Sequence, residues 1–155
     1  MKLVSKTQLS QILTKLRNEK KTIVMTNGCY DILHVGHVRY LQKTKTFADV
    51  LILALNSDKS VRAIKGEGRP INNENDRAEV LSALECVDYV VLFDENSPAE
   101  LLKFVKPDVY TKGADYTLET LPETKVVQGF GGRIEFIDFV EGKSTTNVIA
   151  QIKKN

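Results

Sequence analysis

Two segments of this chain, Val50-Leu51-Ile52-Leu53-Ala54-Leu55 and Asp88-Tyr89-Val90-Val91-Leu92-Phe93, carry apolar side chains on consecutive residues. A strand with one wet face alternates apolar and polar residues. An unbroken apolar run of this length reads as a strand covered on both faces, the condition of a parallel sheet. Thr22-Ile23-Val24-Met25-Thr26, Val109-Tyr110-Thr111 and Arg133-Ile134-Glu135-Phe136-Ile137 supply further β-rich runs. Helical patterns fill the gaps. Ser5 with Gln8 forms a capping box opening a helix over about residues 5–18, and Gly36 to about Phe47 carries Val38 and Leu41 on one face. Asn73 with Asp76 opens a helix through about Cys86, Ser97-Pro98-Ala99-Glu100 begins another, and so does Thr120 with Glu123. Ser144 or Thr145 begins the last. Gly129-Phe130-Gly131-Gly132 precedes a strand and reads as a helix stop and turn.

Strands alternating with helices predict a doubly wound, Rossmann-like α/β fold of about five parallel strands flanked by helices. At 155 residues the chain suits one domain, with a core over about residues 22–152. In such a fold ligands sit beyond the carboxyl ends of the strands, where the strand order reverses. The informative loops are therefore 27–36, 56–72, 94–97, 112–120 and 138–145.

Composition narrows the function. A net charge of +2 argues against nucleic-acid binding, and no apolar run is long enough to cross a membrane. The N-terminus lacks the apolar stretch of a secretory signal. The two cysteines, Cys29 and Cys86, are expected to be free thiols of a cytoplasmic protein. The first loop, Asn27-Gly28-Cys29-Tyr30-Asp31-Ile32-Leu33-His34-Val35-Gly36-His37, holds both histidines of the chain. It runs from a strand into a helix N-terminus, whose free N–H groups and positive dipole end seat phosphate. Gly28 and Gly36 would let the backbone approach a bulky ligand, and the imidazoles would hold phosphate oxygens. Structural histidines and a metal pair are the competing readings, although the scattered cysteines and Asp31 make a poor ligand set. The loop has no Gly-x-Gly-x-x-Gly pattern, which argues against a dinucleotide-dependent oxidoreductase.

The run Asn27-Gly28-x-Tyr30-Asp31-x-x-His34-x-Gly36-His37 resembles the signature of the HxGH nucleotidyltransferases, in their cytidylyltransferase-like branch. Leu55-Asn56-Ser57-Asp58, Lys65-Gly66-Glu67-Gly68-Arg69-Pro70-Ile71-Asn72, Arg77, Lys112-Gly113-Ala114-Asp115-Tyr116 and Glu141-Gly142-Lys143-Ser144-Thr145-Thr146-Asn147 resemble segments of the D-glycero-D-manno-heptose 1-phosphate adenylyltransferases. Many relatives have Phe at the place of Tyr30. Cytidylyltransferases usually carry an arginine near the Ser-Thr-Thr segment, where this chain offers Lys143.

The resemblance implies joining ATP to a heptose 1-phosphate, with release of pyrophosphate. It implies phosphate contacts from His34, His37, Lys65 and Arg77, with Lys65 and Arg69 in a mobile loop that closes over the phosphates. Asn27, Gly28, Tyr30, Gly36, Lys112, Gly113, Ser144, Thr145 and Thr146 would line the nucleotide site, and Asp31, Asp58 and Arg69 the sugar side. Asp31 would orient the loop or the sugar; for Asp58 a helix cap is the competing reading. Magnesium would ride on the triphosphate oxygens, with no protein ligand. A homodimer is implied, and a separate sugar kinase upstream of this stand-alone form. Rival readings within the branch are a cytidylyltransferase for glycerol 3-phosphate or a phospho-alcohol, and an FMN adenylyltransferase. Outside it stands a nucleotide-binding regulatory module.

Overall fold

The computed structural model describes residues 2–154. The elements run α1 (Lys6–Asn18), β1 (Ile23–Gly28), α2 (Val35–Lys45), β2 (Val50–Asn56), α3 (Asp58–Lys65), α4 (Glu74–Ser82), β3 (Tyr89–Phe93), α5 (Ala99–Val105), β4 (Val109–Gly113), α6 (Thr124–Gly129), β5 (Arg133–Ile137) and α7 (Thr145–Lys154). The five strands form one sheet in the order β3-β2-β1-β4-β5, with every pairing parallel.

The consecutive apolar runs are explained by the two faces of this sheet. In β2, Val50, Ile52 and Ala54 join a core with Leu9 and Leu16 of α1, Leu101 and Leu102 of α5 and Val127 of α6. The alternate residues Leu51, Leu53 and Leu55 join a second core with Leu41 of α2 and Ala78 and Leu81 of α4. Successive side chains of a strand point to opposite faces, so a strand sandwiched between helix layers is apolar at every position. Every residue of β2 is buried.

Some local expectations change. β1 continues through Asn27 and Gly28, which pair with Ala54 and Leu55 of β2, so these two end the strand instead of starting a loop. Within 56–72, read as loop, residues 58–65 form α3; Ser57 caps it by accepting from the Ser60 N–H at 3.2 Å, and Gly66 ends it at φ 91°. Thr120 and Glu123 do not open α6 as a capping box. Thr117 and Thr120 instead bond to each other in a turn, and α6 starts at Thr124 with no side-chain cap. α5 starts after Pro98, which makes no cap bond itself; the Ser97 hydroxyl accepts the Ala99 N–H at 3.3 Å.

The sheet order reverses between β1 and β4. β2 and β3 lie on one side of β1, and β4 and β5 on the other. That divergence opens a crevice above Asn27 and Gly28 of β1 and Lys112 of β4, where the doubly wound fold holds its ligands.

Candidate active site

A cleft of about 570 Å³ occupies the crevice. Asn27, Gly28, Tyr30, Asp31, His34, His37, Lys65, Arg69, Lys112, Ser144, Thr145 and Thr146 all line it. Gly113 lines a smaller adjoining pocket of about 190 Å³, together with Tyr40, Asp115, Tyr116 and Phe139.

The two imidazoles stack, with centroids 3.8 Å apart and planes at 22°. Their placement follows from the helix end. His34 is the N-cap of α2, and its Nδ1 accepts the Gly36 N–H at 3.1 Å. The Nδ1 of His37 faces the His34 N–H at 3.4 Å. A helix start has orphan N–H groups, and here the two rings occupy positions that other helices give to Ser, Asn and Gln. An accepting Nδ1 carries no proton, so each neutral ring is protonated at Nε2. The structural and functional readings of the pair are thus compatible: Nδ1 caps the helix and Nε2–H is left as a donor. Burial, followed by the charge of the adjacent His34, lowers the His37 pKa to about 4. Burial and then the Lys143 charge also lower that of His34. Both rings are therefore neutral at pH 7.

The glycines serve the loop itself. A Cβ on Gly28 would lie 2.7 Å from the Tyr30 ring, and one on Gly36 would lie 2.9 Å from the His34 ring. Gly36 is therefore needed for the His34 ring to fold back onto the helix start, and a bulky ligand is not required to explain it. At Gly113 a Cβ would fall 2.2 Å from Phe139 and 2.7 Å from the Asp115 carboxylate.

Asp31 and Arg69 are tied to each other. Asp31 is buried, and its carboxylate accepts from Arg69 Nε at 2.6 Å and from the Ile71 and Asn72 N–H groups at 2.8 and 2.9 Å. Burial alone would raise its pKa; the Asn72 and Ile71 N–H groups and Arg69 outweigh that and hold it below the ordinary value. Arg69 is thus anchored and does not swing freely. Lys65 is the last residue of α3 and is not part of a loop.

Arg77 and Asp58 do not line the cleft. Arg77 is 2% exposed and donates to the carbonyls of Asn72, Cys29 and Asn56 and to Asp58 Oδ1 at 2.7 Å. Its guanidinium pins the first loop, the end of β2 and the start of α4 together. That is the geometry of a structural clamp, and Arg77 is not among the residues that line the cleft. Asp58 is its counter-ion and neither caps α3 nor reaches into the cleft.

On the other wall Lys112 Nζ lies 3.4 Å from Asn27 Oδ1, which also accepts the Tyr110 hydroxyl. Burial lowers the Lys112 pKa, against the raising charges of Glu123 and Asp115. Thr145 Oγ1 donates to the Ile32 carbonyl at 3.2 Å, and Ser144 Oγ accepts the Asn147 N–H at 3.0 Å. These bonds dock α7 against the first loop and cap it. Among the described residues no group of three or more His, Cys, Asp or Glu is arranged to hold a metal ion. Cys29 and Cys86 are free. No helix among the described residues is long and apolar enough to cross a membrane.

The cleft is also lined by residues to which the sequence assigns no ligand role: Asn56, Asn96, Ser97, Tyr116 and Glu123. Asn56 ends β2 and Ser97 follows β3, both positions where a doubly wound fold exposes side chains to ligand. Glu123 carried no such signal, because Thr120-x-x-Glu123 is also a helix-start pattern.

The sequence model of the cytidylyltransferase-like family matches residues 25–150, which span every element of the cleft. The chain belongs to the cytidylyltransferase-like family. Membership makes it a nucleotidyltransferase. It is 54% identical over 144 residues to the bifunctional protein HldE of Geobacter metallireducens, covering 93% of this chain and 29% of that protein. The chain thus spans about three tenths of the length of the curated relatives it matches. Among solved structures it is similar to the lipopolysaccharide core biosynthesis protein of Thermoplasma volcanium. That match has a TM-score of 0.62 and 28% identity, over 79% of this chain and 99% of that one. A pantoate-beta-alanine ligase from Francisella tularensis shares the fold at a TM-score of 0.68 and 14% identity, over 100% of this chain and 80% of that one.

Proposed function

We propose that this chain, acting as one nucleotidyltransferase domain, joins ATP and a heptose 1-phosphate to give ADP-heptose and pyrophosphate. The observation that carries the reading is the stacked His34–His37 pair at the switch point, with both Nδ1 atoms committed to backbone and both rings lining the cleft. Family membership supports nucleotidyl transfer. The heptose acceptor is favoured by the segment resemblances, by identity of about half with the bifunctional HldE proteins, and by likeness to a lipopolysaccharide core biosynthesis protein.

In this reading the triphosphate lies across the N-terminus of α2. An oxygen of the sugar phosphate attacks the α-phosphorus, and the bond from that phosphorus to the bridging β-oxygen breaks. Pyrophosphate leaves with the electron pair. The attacking phosphate is already ionised, so no general base is required. Catalysis then comes from alignment and from charge neutralisation. His37 and His34 donate through Nε2–H to phosphate oxygens, while Lys65, Lys112 and Arg69 offset the charge. The planar base enters the smaller pocket edged by Tyr116 and Phe139, and Gly113 is what lets Phe139 pack against the end of β4 there. Magnesium carried in with ATP would supply further charge neutralisation, and no residue of the chain is assigned to hold it. Asp31, Asp58 and Arg77 hold the first loop and the start of α4 in place. We further propose a cytoplasmic setting, with a sugar kinase activity supplying the 1-phosphate and a homodimer as the assembly.

Incubation with magnesium, each nucleoside triphosphate and a panel of phosphorylated acceptors tests the reading, with products weighed by mass spectrometry. ADP-heptose and pyrophosphate are expected. Product from CTP with glycerol 3-phosphate, or from ATP with FMN, would replace this assignment by another in the family. Tight ATP binding with no product from any acceptor would favour a regulatory module.

A further inference from the structure

The cleft lining holds two chemically different groups of residues. His34, His37, Lys65 and Arg69, from α2, α3 and the loop after α3, suit phosphate. The loop after β3 and the turn before α6 contribute Asn96, Ser97 and Glu123, with Lys112 of β4 near enough for the Glu123 charge to act on it. Glu123 is only 7% exposed, yet it lines the cleft. Ser97 Oγ donates to its Oε1 at 3.2 Å. Among the described residues that is its one side-chain hydrogen bond, and no cation forms a salt bridge with it. A carboxylate offers about four acceptor positions, and a buried one left short of donors is costly.

A carboxylate repels phosphate, so Glu123 is not there for the triphosphate. Its remaining acceptor positions are open to O–H or N–H donors of a ligand in the cleft. The base has another location available, the adjoining pocket with Tyr40, Tyr116 and Phe139, which Glu123 does not line. Flat rings favour such aromatic walls. The ATP ribose joins that base to a triphosphate held at His37, which lines both cavities, whereas Glu123 lines only the larger one; the hydroxyl groups left for it are those of the acceptor. We infer that Glu123, held by Ser97, accepts hydrogen bonds from the acceptor sugar's hydroxyls and selects a polyhydroxylated sugar 1-phosphate over a simpler phosphate monoester. The inference rests on the sugar-phosphate reading above and adds a specificity-determining residue to it. A site built to bond a hydroxyl rejects analogues that lack it, because its own buried group is then left unpaired.

The test is steady-state kinetics of wild type, Glu123→Gln and Ser97→Ala with ATP, heptose 1-phosphate and monodeoxy sugar 1-phosphates. For Glu123→Gln the KM for the sugar phosphate should rise on the order of tenfold to a hundredfold, the range of one hydrogen bond to a charged group. The KM for ATP and the melting temperature should stay near wild type, and the penalty for one deoxy position should shrink. Ser97→Ala should move the same constants in the same direction by less. A raised KM for ATP with an unchanged one for the sugar would overturn the inference, since the carboxylate would then be reading the base or ribose of the nucleotide. Unchanged kinetics would overturn it too. If wild type turned over no sugar 1-phosphate, the functional reading itself would fail, and that is visible before any variant is made.

Discussion

Two clusters of polar side chains meet at the first loop, and they use their charge in opposite ways. Asp31, Arg69, Arg77, Asp58 and Asn72 bond mainly to one another and to backbone. His34 and His37 spend one nitrogen on backbone and keep the other. Sequence motifs place all of these residues in one stretch of binding chemistry. Satisfaction of hydrogen bonds separates them: Asp31, Asp58, Arg77 and Asn72 hold the loop, while the histidines have donors left for a ligand, as does Arg69 beyond its Nε bond to Asp31. A buried polar group whose bonds are already made is part of the scaffold.

Arg77→Ala should break the first cluster and give the largest effect. It strands three carbonyls and the Asp58 charge, so the loss of stability should be about 3–5 kcal/mol, read by chemical denaturation. A loss below about 1 kcal/mol would mean that Arg77 is not the clamp. His37→Ala should do the reverse. It should lower kcat/KM by about 2.7–4 kcal/mol of barrier, as for other single donors to developing charge, with most of the ATP binding and the fold retained. Near-normal turnover would remove His37 from the mechanism.

The same pair should differ in pH dependence. The folded pKa of His37 lies below the unfolded one, so neutral His37 contributes stability that is fully present above the ordinary histidine value. That stability is lost as pH falls toward about 4, and His37→Ala should flatten this part of a stability–pH profile. Asp31→Asn should have the smallest effect, about 1.5 kcal/mol at neutral pH. Because the Asp31 pKa is depressed, its contribution should vanish only as pH drops below the ordinary aspartate range.

The sheet was legible because burial on both faces writes itself into consecutive apolar residues, as in 50–55. The capping boxes at Ser5 and the cap at Asn73 were legible because their bonds are local in sequence. α3 was missed because it is a short helix ended by Gly66, in a stretch whose glycines and charges read as loop. The clamp role of Arg77 was hidden because its partners, Cys29, Asn56 and Asp58, are brought to it only by the fold. The same holds for Glu123, whose side chain is assigned to the cleft by packing and not by any local pattern.

The most direct measurement of the central claim is a pH titration of the two imidazoles by NMR, with and without ATP and magnesium. Without ligand, His37 should titrate near 4, with its proton on Nε2. With ATP bound, the Nε2–H signals of both rings should shift and the pKa of His37 should rise, because phosphate stabilises the charged ring. Rings whose shifts and pKa values do not respond to saturating ATP would contradict the account.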